Sequence, residues 1–206
     1  MKIDIARQPL VPAFMTLFAL AVAAMCAGIP VSDTSGAVRD ALPLLGGQLA
    51  RFQAAYPVWS KFAAGFMLLF TGMCAGRITI RYNLYTVGTC LPIPLYAIVA
   101  CGIATGGNYL AGFAASMLLA LATKNYCRAF CNGYGFDAIF RASLYLGLMP
   151  LVYAPALPLL LLLPLAVLLF RRTFREVVVA TAGLLLPIFT ACYVCLLYTS
   201  PSPRDR

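Results

Sequence analysis

Residues 137–176, DAIFRASLYLGLMPLVYAPALPLLLLLPLAVLLFRRTFRE, decide how this chain folds. Between Arg141 and Arg171 the stretch holds twenty-nine residues with no charged side chain. As one helix it would be about 44 Å long, well beyond a bilayer core of about 30 Å. Pro150 and Pro155 flank Tyr153 near its middle. Proline removes an amide donor and turns the preceding residue away from helical geometry, so the run is predicted to break there. The expected arrangement is a hairpin of two short spans, 138–154 and 156–170, with one long kinked helix as the alternative.

The composition says which solvent the chain meets. It is 63% hydrophobic and 10% charged over 206 residues, with a mean hydropathy of +0.91. A water-soluble domain of this size has too little interior to hide so much apolar surface, so lipid is its solvent. The net charge of +9 comes from basic residues clustered at the ends of apolar runs. That is a pattern of membrane orientation, and no nucleic-acid partner is expected. The absence of histidine excludes His-ligated metal, His-held haem and a Ser-His-Asp triad. Cys26, Cys74, Cys90, Cys101 and Cys192 lie in apolar segments, where cysteine acts as a small hydrophobe. Cys127 and Cys131 are spaced as helix neighbours, but two thiolates alone make a poor metal site. No metal and no cofactor are expected.

Outward from the central stretch, further spans follow from uncharged runs. Span one is 11–29, after a polar lead carrying Lys2 and Arg7; a signal peptide competes, but the longer core and the later spans favour a retained anchor. Spans two, three and four are 58–76, 84–103 and 109–123, with Pro92 and Pro94 as a kink in the third and a tight ATGGN turn at 104–108. Lys61 can snorkel to the outer surface, and Arg77 and Arg81 close span two. KNYCRAFCNGYGF, 124–136, reads as a loop, and span seven is 177–194. The fold class is therefore all-α, a polytopic transmembrane bundle of about seven spans.

The outer loop, 30–57, opens with Ser32, Asp33, Thr34 and Ser35, any of which could cap a helix. Leu45, Leu49, Phe52 and Tyr56 then recur at helical spacing, interrupted by Pro43, Gly46 and Gly47. A short helix in the membrane interface fits, with Tyr56 and Trp59 at headgroup level; packing against the other helices fits equally.

Charge counting orients the bundle. With a cytoplasmic amino terminus, the inner segments hold Lys2, Arg7, Arg77, Arg81, Lys124, Arg128, Arg171, Arg172 and Arg175. The outer segments hold Arg39, Arg51 and Lys61. This asymmetry obeys the positive-inside rule and supports the hairpin, since a single span there would put Arg171, Arg172 and Arg175 outside.

The end of the chain breaks the pattern. Residues 195–205, CLLYTSPSPRD, resemble the conceptual translation of a transposase-type sequencing adapter, agreeing at all eleven positions. The expectation is a natural frame cut at or near Val194, a non-native tail at 195–206, and hence an amino-terminal fragment whose later helices are missing.

The stretch FDAIFRASLYLGLMPLVYAPALPLLLLLPLAVLLFRRTFREVVVATAGLLLPIF resembles a family of bacterial polytopic membrane proteins defined only as a domain of unknown function. The matching features are Asp137, Tyr153 with Pro155, Arg171, Arg175 with Glu176, and Gly183 through Pro187. RYNLYTVGTCLP, 81–92, is a weaker match, and Val177 stands where an aromatic would be expected. The resemblance implies the bacterial inner membrane and no particular activity.

Charged groups within lipid are costly and default to functional candidates. Arg141 lies about one turn into span five, four residues after Asp137, so an intramembrane charge pair competes with snorkelling. Glu176 and Arg175 sit at a helix start, where a carboxylate favours the dipole. Arg171, Arg172 and Arg175 form an inner basic patch suited to anionic lipid headgroups. Asp33, just after span one, is placed to serve as a catalytic base in a lipid-linked glycosyltransferase or polysaccharide polymerase, or simply to cap a helix. Three classes follow: an envelope-related inner-membrane component, such a transferase acting on a lipid-linked or envelope substrate, and a transporter suggested by the proline-broken spans. No phosphate-binding Gly-Lys motif or dinucleotide fingerprint is present.

Overall fold

The central stretch breaks where its prolines predict. In the computed structural model, which describes residues 10–26, 44–82, 90, 92–104, 108–131, 135–162 and 173–199, helix α6 (Phe136–Val152) stops at Tyr153. Tyr153 is extended, with φ −142° and ψ 101°. The chain then enters a 3-10 helix, Ala154–Leu161, rather than the α-helical start expected for span six. The reason is local: Pro158 has no amide to give the Ala154 carbonyl, which an α-helix would require, so i to i+3 bonding takes over. Ala156 joins the buried cluster that holds Met149 of α6.

The remaining elements are α1 (Leu10–Cys26), α2 (Leu44–Ala55), α3 (Pro57–Arg81), α4 (Pro92–Ala104), α5 (Tyr109–Cys131) and α7 (Phe174–Thr199). Every regular element among the described residues is helical, as the composition predicts. By length and composition, α3 and α7 are long and apolar enough to cross a membrane. Two sequence expectations need correction. Pro92 and Pro94 do not kink a helix but sit in the first turn of α4, where a missing amide is harmless. The presumed loop at 124–136 is helical as far as Cys131, because Ala122 and Ala129 stay buried and Tyr126 stacks on Phe130 at 5.7 Å. The helix α7 likewise runs past Val194 through Cys195 to Thr199. Residues 27–43, 83–89, 105–107 and 163–172 lie outside the described residues, and with them the second half of span six and most of the turn at 104–108.

Interhelical contacts set the directions. Tyr109 meets Ser60, and Lys124 lies near Cys74, so α5 runs parallel to α3. Gly76 faces Ile93 and Thr71 lies beside Tyr96, so α4 runs against α3. Tyr126 meets Ser143, and Val152 clusters with Ala111 and Ala114, so α6 runs against α5. Gly183 faces Phe140 and Ser143 while Gly147 faces Leu184 and Pro187, which makes α7 parallel to α6. Helices α6 and α7 thus begin at the same end of the bundle.

Small residues permit the closest approaches. On α3, Gly72 and Gly76 admit the side chains of Leu17 and Ile93, a spacing of four that lets helices meet at close range. At the α6–α7 seam the neighbours are backbone: a Cβ on Gly183 would stand 2.7 Å from the Phe140 carbonyl, and one on Gly147 would run into the Leu184 carbonyl.

Candidate functional site

The helix directions collect the charges at one end of the bundle. Arg77 and Arg81 end α3, Lys124 and Arg128 lie in the last two turns of α5, and Arg141 and Arg175 lie in the opening turns of α6 and α7. Because α3 and α5 run toward this end and α6 and α7 run from it, all six cations share it. Both described carboxylates, Asp137 and Glu176, are there too.

Asp137 and Arg141 form the pair expected from their spacing, with Nε to Oδ1 at 3.0 Å. Both side chains are exposed, so the pair sits on the outside of α6 instead of facing a cleft. Its role is that of an i, i+4 bridge on a helix surface. Arg175 is exposed, as a headgroup contact requires, whereas its neighbour Glu176 is only 2% exposed. Glu176 thus does more than favour the dipole of α7: its side chain is packed inside, one turn before the buried Ala180. Nothing in the local sequence separates Arg175 from Glu176 in burial; only the packing of α7 on α6 does. Arg171, Arg172 and Asp33 lie outside the described residues. No group of three metal-ligating side chains occurs among the described residues.

The interior carries polar contacts that sequence reasoning missed. Helix α5 is tied to three neighbours by tyrosine–serine pairs: Tyr109 with Ser60 of α3 at 2.6 Å, Ser116 with Tyr96 of α4 at 3.2 Å, and Tyr126 with Ser143 of α6 at 3.4 Å. In each pair the serine hydroxyl donates to a backbone carbonyl of its own helix, Pro57, Phe113 or Ile139. The tyrosine must then be the donor across the interface, because the serine proton is already committed. Serines inside apolar runs were the available signal, yet their partners are remote in sequence.

The opposite end is built by α2. Leu45 and Leu49 pack on the cluster of Ala111, Ala114 and Val152, so half of the predicted greasy stripe does seat on the bundle. Gln53 is buried too, at 6% exposure, and its Oε1 accepts from the Leu110 amide at 3.5 Å. Phe52 and Tyr56, from the same stripe, point outward. With Trp59, Phe62, Ala63 and Phe66 of α3 they line an open groove of about 590 Å³. The rings contact in pairs, Phe52 with Tyr56 at 5.7 Å and Trp59 with Phe62 at 6.4 Å between centroids. Arg51 and Lys61 neighbour Phe52 and Phe62 in sequence and are the described cations at this end.

Comparison with family models, with curated proteins and with solved structures finds no match to this chain.

Proposed function

We propose that this chain is a multi-pass component of the bacterial inner membrane, with the basic end of its bundle in the cytoplasm and an envelope role exercised through lipid contact. The sorting of charge by helix direction carries this reading. Of the eight described basic residues, six lie at one end and only Arg51 and Lys61 at the other. Water-soluble packing gives no reason for such sorting, whereas membrane insertion retains Lys and Arg on the cytoplasmic side.

The exposed surface supports the same environment. Only 17% of the apolar window of α7 is buried, and Val178, Phe189 and Tyr193 stand open on it. In water each such exposed side chain would forgo about 1.5–3 kcal/mol of burial, a loss that lipid removes. In this reading α1, α3, α4, α5, α6, the expected span six (156–170) and α7 make seven crossings, beginning in the cytoplasm. Arg77, Arg81, Lys124, Arg128 and Arg175 then form an inner-face patch, extended in sequence by Arg171 and Arg172, that suits anionic headgroups.

A reporter active only in the periplasm tests this topology. Fused after Asn108 it should be active, and fused after Arg172 it should be silent. Activity at Arg172 would overturn the hairpin and the orientation of α7 with it.

A further inference from the structure

We propose that the cytoplasmic end of the seam between α3 and α5 holds one phospholipid with two separate phosphates, of the diphosphatidylglycerol class. One phosphate sits on Arg77 and Arg81, the other on Lys124 and Arg128. The site rests on the membrane reading above and narrows its basic patch to four side chains and one class of ligand.

Helix geometry gathers the four. Ser60, Met67 and Cys74 recur every seven residues and so lie along one side of α3. Each meets α5: Ser60 pairs with Tyr109, Met67 packs against the cluster of Ala111 and Ala114, and Cys74 lies near Lys124. Arg81 is the next member of this row. Arg77 stands three residues after Cys74 and four before Arg81, so it borders both on the helix surface. On α5, Arg128 follows Lys124 by four residues on the same face. All four cations are exposed.

The second observation is their lack of counter-charge. Of the two described carboxylates, Asp137 is committed to Arg141 at 3.0 Å on α6, and Glu176 is 2% exposed on α7. Tyr126, two residues past Lys124 and hence on another side of α5, is the residue that meets α6. Like charges four apart on a helix repel, and here two such pairs flank one seam. Membrane orientation requires cations at this end but not their gathering along a single seam. An anion between them relieves the repulsion. Spacing selects its form: packed helix axes lie about 8–10 Å apart, so phosphates on separate arms reach both pairs where one phosphate reaches one. The third observation is the apolar approach. Phe66, Phe70 and Met73 precede Arg77 at helical spacing, Phe66 being 68% and Met73 47% exposed. An acyl chain along this stripe brings its phosphate to Arg77, and basic sites between helices on the cytoplasmic side suit such headgroups.

The full chain in detergent micelles is titrated with each lipid, and native mass spectrometry counts the copies bound. Two further cations engaged, at about fivefold each, give diphosphatidylglycerol an expected preference of roughly twenty-five-fold over phosphatidylglycerol. Lys124→Gln and Arg77→Gln should each lower that affinity about fivefold. Arg141→Gln removes a cation from the same end but outside the seam, and should change the affinity less than about twofold. Equal losses in all three variants would reduce the site to diffuse attraction and overturn it, leaving the membrane reading intact. So would equal affinity for the two lipids in the unsubstituted chain. Tighter retention of a polyprenyl diphosphate, whose phosphates share one bridging oxygen, would also overturn it in favour of a single compact anion site. Release of the chain from reconstituted vesicles by an alkaline wash would overturn the membrane reading itself, and the lipid site with it.

Discussion

Replacing Gly147 by alanine tests the seam between α6 and α7. A methyl at this position would meet the Leu184 carbonyl closer than real contacts allow, with Pro187 Cγ at 3.1 Å behind it. Neither obstacle can swing aside as a side-chain tip could, so the two helices must part by something on the order of 1 Å. A gap of that size forfeits about a quarter to a half of each dispersion contact along the seam, and overpacking in general costs about 1–3 kcal/mol. Against this, alanine gains about 0.5–1 kcal/mol of helix propensity over glycine. The expected net change is a destabilisation of about 1–2 kcal/mol. Gly102→Ala in α4 is the matched control: a Cβ there meets nothing within 4 Å, so only the propensity gain remains. Reversible unfolding of both variants in lipid–detergent micelles, titrated with dodecyl sulfate, gives the comparison. If Gly147→Ala is as stable as Gly102→Ala, α6 and α7 do not meet in parallel at this register and the proposed seven crossings lose their support. Gly72→Ala should fall between the two, because its obstacle is the movable end of Leu17 at 2.7 Å.

Three further outcomes are expected. Tyr109→Phe and Ser60→Ala should each cost about 0.5–1.5 kcal/mol, with a coupling of about 0.6 kcal/mol in a double-mutant cycle; additive effects would mean the 2.6 Å contact contributes nothing. Glu176→Ala should destabilise the bundle by about 1–3 kcal/mol while Arg175→Ala, at an exposed position, stays within about 0.5 kcal/mol, measured in the same titration. Asp33→Asn in cells should leave surface polysaccharide unchanged, and its loss would favour the lipid-linked transferase over the envelope component.

Legibility in the sequence followed the range of the forces involved. The break at Tyr153 was readable because two prolines act on amides and carbonyls within four residues. The Asp137–Arg141 bridge was readable from spacing alone, since residues four apart share a helix face. The helical run to Cys131 was misread as loop because Lys124 and Arg128 look like the close of a span, whereas the helix simply continues beyond the apolar part. The prolines of α4 were misread as a kink because their meaning depends on where the helix begins. The greasy stripe of α2 left two environments open, and the structure gives Leu45 and Leu49 to one and Phe52 and Tyr56 to the other.

By itself, then, the sequence determined an all-helical chain rich in apolar surface, its principal break and the uneven placement of its cations. Each follows from composition or from residues a few positions apart. Only the tertiary structure decided that α7 lies parallel to α6, that Glu176 is inside while Arg175 is outside, and that Gln53 turns inward as Phe52 and Tyr56 turn outward. Those choices depend on which surfaces meet. A helix of any given sequence can roll about its axis until close contacts with remote neighbours, such as Gly147 on Leu184 or Tyr109 on Ser60, select one face.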